Sequence, residues 1–120
     1  MGILSAIIGN HVEEFAGELA QSLAKRYPSA IEANKARPVS EARLTKILED
    51  ALGRAQAYQR EHRLGMLGKA KLGNEFKWRL KELGYSDQFI EVATEGLMVY
   101  LTRADRMPAE QPKNASAGGR

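Results

Sequence analysis

The chain has no cysteine. Disulfide scaffolds, cysteine-based zinc sites and thiol catalysis are thereby excluded. Histidine is almost as scarce, with His11 and His62 only. Neither belongs to a Glu-x-x-His or His-Glu-x-x-His pattern, so no metal or cofactor is expected. The serines carry no local nucleophile signature. An enzyme is therefore not expected. Long apolar runs are also absent. Ile3, Leu4, Ala6, Ile7 and Ile8 form the longest cluster near the start, far short of the roughly 20 residues of a membrane span. No Lys or Arg precedes Lys25, so that cluster lacks the basic flank of a signal peptide. "MGILSA" lacks the Ser or Thr of a myristoylation motif. A cytoplasmic protein with no membrane attachment is expected.

No stretch alternates apolar and polar residues as a strand would. What is present is helical spacing. The 120 residues suit one all-α domain, a small bundle of about four helices over residues 10–27, 40–63, 70–83 and 86–103. Asn10 and Glu13 make a capping-box-like start for the first helix. Its stripe is Val12, Phe15, Ala16, Leu19, Ala20, Leu23 and Tyr27, and Pro28 ends it. Residues 28–39 read as a connector with room for a short turn of helix. Ser40 is a natural N-cap for the second helix, with Val39 and Leu44 placed as a staple around it. Its stripe runs from Leu44 through Ile47, Leu48, Ala51, Leu52 and Ala55 to Tyr58.

The glycine-rich segment 63–74 reads as a flexible joint. Its Gly65-x-x-Gly68-Lys69 is followed by Ala70 where a phosphate loop requires Ser or Thr. Leu72, Phe76, Leu80 and Leu83 form the third stripe. Leu83-Gly84-Tyr85-Ser86-Asp87 then reads as a helix stop and an immediate restart, with Gly84 as left-handed cap. The domain is expected to end near residue 104, followed by a disordered tail over 105–120 that is rich in Pro, Ala, Gly and polar residues. Two hairpins of antiparallel neighbours are the expected packing.

Two functional readings follow. The first is a non-catalytic helical interaction module that associates with itself or another protein. Its surface is expected to include Trp78, Leu97, Met98, Leu101, Ile3, Leu4 and Ile7. Trp78, the sole tryptophan, falls on the polar side of its own helical wheel. Residues 97–101 read Leu-Met-Val-Tyr-Leu, apolar on nearly every side of a helix. The second reading is a small nucleic-acid-binding protein. Residues 25–82 carry 14 bases against 7 acids. Arg60, Arg63, Lys69, Lys71, Lys77 and Lys81 would contact phosphates, with Trp78 stacking on a base. A DNA-reading helix-turn-helix at the Gly84 corner is disfavoured, because its second helix opens with Asp87, Glu91 and Glu95. That acidic stripe reads as a solvated edge, with a metal or a basic partner as the alternatives.

Overall fold

In the computed structural model the described residues are 2–106 for the backbone and 11–103 for side-chain surroundings. The described chain is all-α, with helices α1 (Gly2–Arg26), α2 (Ser29–Ala33), α3 (Glu41–His62), α4 (Met66–Glu82) and α5 (Asp87–Arg106). Most of the tail expected from residue 105 lies outside the described residues. None of the described helices is long and apolar enough to cross a membrane.

The expected stripes meet in one core. Val12, Ala16, Leu19, Ala20 and Leu23 of α1 bury against Ile47, Leu52 and Ala55 of α3. Leu72, Phe76 and Leu80 of α4 and Ile90, Ala93, Leu97 and Leu101 of α5 complete it. Most of these side chains are fully removed from water, and each buried Val, Leu, Ile or Phe stabilises the fold by about 1.5–3 kcal/mol.

Three expectations are corrected. Helix α1 begins at Gly2 rather than Asn10, because a lone Gly9 in a run of Ile, Leu and Ala is too weak a breaker to stop it. Helix α4 begins at Met66, so the glycine-rich joint shrinks to the few residues after His62. Arg63 ends α3 in the left-handed region, at φ 52°. Beyond it Gly65 stands at the N-cap of α4 in extended backbone, while Gly68 and Gly73 are helical with neighbours in the space a side chain would take. A Cβ on Gly73 would stand 2.8 Å from the Met98 sulfur. The third correction concerns pairing. Consecutive helices do run antiparallel, since Arg26 of α1 pairs with Asp50 of α3 at 2.8 Å while Phe15 stacks on Tyr58 at 3.9 Å. The closest packing, however, joins α1 to α4 and α3 to α5, and both of these pairs run in the same direction. Glu13 meets Lys71 and Gly17 lies against Arg79; Gly96 lies under Leu52 and Gln56 donates to the Tyr100 carbonyl. Small residues at these crossings, such as Ala16, Gly17 and Ala20 on α1 and Ala93 and Gly96 on α5, let the helix axes approach.

The corner between α4 and α5 forms as the cap-and-restart that the sequence predicts. Gly84 has φ +94°, a conformation that costs a non-glycine residue roughly 1 kcal/mol or more. Ser86 Oγ accepts from the Phe89 N–H at 3.1 Å, the N-cap arrangement. Helix α2 lies beneath this corner. Ser29 Oγ donates to the Leu83 carbonyl at 2.7 Å, and the Ser86 N–H and hydroxyl both donate to the Glu32 carboxylate, at 3.0 and 2.6 Å. Ser86→Ala removes the cap and one of the Glu32 bonds. It is expected to cost about 1–2 kcal/mol, measured by urea unfolding, whereas Ser86→Asp should keep the cap and lose the Glu32 contact to repulsion.

Candidate interaction surface on helices α4 and α5

Helix α5 turns its stripe Ile90, Ala93, Leu97, Leu101 inward at helical spacing. Leu97 and Leu101, expected on an interaction surface, are therefore completely buried in the chain's own core and leave that surface. The run 97–101 is not buried all round. Met98 and Tyr100 are half-buried and Val99 is exposed, as is Val92 seven residues before it. Helix α4 turns Leu72, Phe76 and Leu80 inward, which leaves Trp78 facing water with 55 % of its surface exposed. Leu67, on the same side three turns earlier, is exposed as well. Ile3, Leu4 and Ile7 lie on α1, but their side chains fall outside the described residues.

Between α4 and α5 runs an open groove. Lys77 and Lys81 line one wall, and Asp87, Glu91 and Glu95 line the other. Ile90, Thr94, Met98 and Val99 lie between them. Among the described residues these lysines and acids enter no ion pair within the chain. The rows oppose each other because α4 and α5 form an antiparallel hairpin about Ser86. Lys81 and Glu91 stand five positions either side of that residue, and Lys77 and Glu95 nine.

The six bases expected to form a nucleic-acid track do not share one face. Arg60 and Arg63 stand at the end of α3, which is not a principal neighbour of α4. Lys69 is half-buried and engaged within the chain. Lys71 binds Glu13 at 3.0 Å and Glu75 at 3.6 Å, and the Glu13 carboxylate holds its ammonium above the usual lysine range. Only Lys77 and Lys81 stand beside Trp78, and they face acids across the groove.

A second cluster was missed by sequence reasoning, which set His11 and His62 on separate helices. Folding brings them together at the end of the α1–α3 pair. Their ring centres lie 4.3 Å apart, edge to face. His11 Nδ1 shares a hydrogen bond with the Tyr58 hydroxyl, from 47 positions away. Tyr58 also stacks on Phe15 and touches the His62 ring. Burial, and then the charges of Glu14 and Glu18, push the Tyr58 hydroxyl above the ordinary tyrosine range, so it stays protonated at neutral pH. The only sequence signal was the i,i+4 spacing of Tyr58 and His62, one turn apart on α3.

Compared with protein-family models, curated proteins and solved structures, the chain matches none. The functional reading therefore rests on the residues themselves.

Proposed function

We propose that the protein is a non-catalytic interaction module that associates with a second copy of itself through the α4–α5 groove. The observation that carries this reading is the groove's two unpaired rows of opposite charge. A two-fold axis running along the groove brings each lysine row onto the acidic row of the other copy. Such a self-complementary patch is what an isologous dimer requires. Trp78 stands beside the lysines as an exposed aromatic anchor, and Met98 and Val99 supply apolar surface that a second copy would remove from water.

The same feature weighs against nucleic acid. Phosphates drawn to Lys77 and Lys81 would meet Glu91 and Glu95 across the groove, and the other candidate bases are dispersed or engaged.

Sedimentation across a range of concentrations tests the proposal. The natural chain should be dimeric at micromolar concentration. Lys77→Glu with Lys81→Glu should weaken association about tenfold or more, because like charges then face each other. Adding Glu91→Lys and Glu95→Lys to that variant should restore the dimer. A chain that stays monomeric throughout, or a dimer indifferent to both swaps, would sink the idea. Retention on generic DNA or RNA that strengthens as salt falls, and is lost with the lysine swap, would support the nucleic-acid reading instead.

A further inference from the structure

The His11–His62 pair takes no part in the groove. We propose that these two imidazoles form a site for one divalent transition-metal ion of the copper, nickel and zinc class, clamped between α1 and α3.

Three observations carry it. First, the spacing fits. Metal–nitrogen bonds of about 2.0–2.1 Å place the centres of two cis-bound imidazoles roughly 4.5–5 Å apart. The ring centres stand 4.3 Å apart with 62° between their planes, close to that separation, and rotation of the exposed side chains turns their nitrogens onto one ion. Second, both histidines are exposed, so an ion reaches them from solvent and water completes its coordination. Third, Tyr58 already supplies the outer contact that metal-bound histidine requires. With Nδ1–H of His11 donating to the Tyr58 hydroxyl, the lone pair stays on Nε2, and the ring orientation is held. Phe15, stacked on Tyr58, holds the phenol ring in place.

Imidazole ligands favour copper, nickel and zinc over magnesium or calcium, and affinity among these peaks at Cu(II). With two protein nitrogens and no third acidic or histidine ligand among the described residues, the remaining positions belong to water. The two histidines come from distant parts of the chain, so the pair exists only in the folded state. The ion therefore stabilises the α1–α3 contact by mass action.

Titration of the full chain with Cu(II) near neutral pH, followed by electron paramagnetic resonance, tests the site. The expected result is a single saturable site whose spectrum shows two nitrogen ligands. His11→Ala or His62→Ala should each leave one nitrogen and weaken binding at least about tenfold. The double variant should lose the site, and the rise in melting temperature with Zn(II) should vanish with it. Both side chains are exposed, so the variants are expected to keep their circular dichroism. His62→Gln serves as a second variant should His62→Ala unfold. No saturable binding, or binding unchanged in the double variant, as the N-terminal amine alone would give, overturns the proposal.

Discussion

Alanine in place of Phe76 is expected to lower the free energy of unfolding by about 3–5 kcal/mol. Phe76 is fully buried among the helices, in contact with no water. Its removal takes away the transfer energy of the ring and leaves a cavity that the surrounding core cannot fully close. A domain of this size holds about 5–15 kcal/mol in total, so the variant loses a large share of it. Two positions along the same helix, Trp78→Ala should cost the isolated protomer only about 1–2 kcal/mol, since more than half of that side chain already lies in water. Urea unfolding of both variants, at concentrations where the chain is monomeric, provides the comparison. Equal losses would mean that Trp78 is a core residue and not an exposed anchor, and the interaction surface would fall with it.

The second large effect is expected in alkali. Tyr85 is buried, and its hydroxyl donates to the Tyr27 carbonyl. Burial first, then the neighbouring Tyr27 and Glu32, push its pKa up to about 12. In the unfolded chain the same hydroxyl ionises near 10. Below pH 10 both states hold the proton, and the contribution to stability is complete. Between pH 10 and about 12 the unfolded chain sheds the proton while the folded chain keeps it, so stability falls as pH rises. At about 1.4 kcal/mol per pH unit, the loss across that window is about 2–3 kcal/mol. Tyr85→Phe cannot ionise. It should cost about 1 kcal/mol at neutral pH through the lost hydrogen bond, yet show a shallower decline above pH 10. Tyr27, also raised by burial, retains part of the slope. Denaturant unfolding at intervals from pH 8 to 12 measures it, and parallel declines in the two proteins would contradict the assignment.

Particular elements show what could be read in advance. The stripe from Ile47 to Tyr58, the Ser40 cap and the Gly84–Ser86 corner depend on local chemistry, and all form where the sequence places them. The start of helix α4 is not legible locally, because Gly68 and Gly73 weaken a helix in isolation. Contact with Leu64 and Met98 offsets that weakness, and neither neighbour is visible in the local sequence. Leu97 and Leu101 were legible as helical and apolar. Which side of α5 would face inward depended on where α3 and α4 lie.

Hydrophobic periodicity and capping residues, which act within a few positions along the chain, determined an all-α fold with its stripes and its α4–α5 corner. The same local signals placed Trp78 on the outer side of its helix. The tertiary structure alone decided that α1 lies along α4 and α3 along α5, because small residues at the crossings set which axes come close. It also decided that Lys77 and Lys81 face Glu91 and Glu95 across an open groove, and that His11 meets His62 at 4.3 Å. Those juxtapositions carry the functional proposals, and each joins side chains from different helices that no short-range pattern relates.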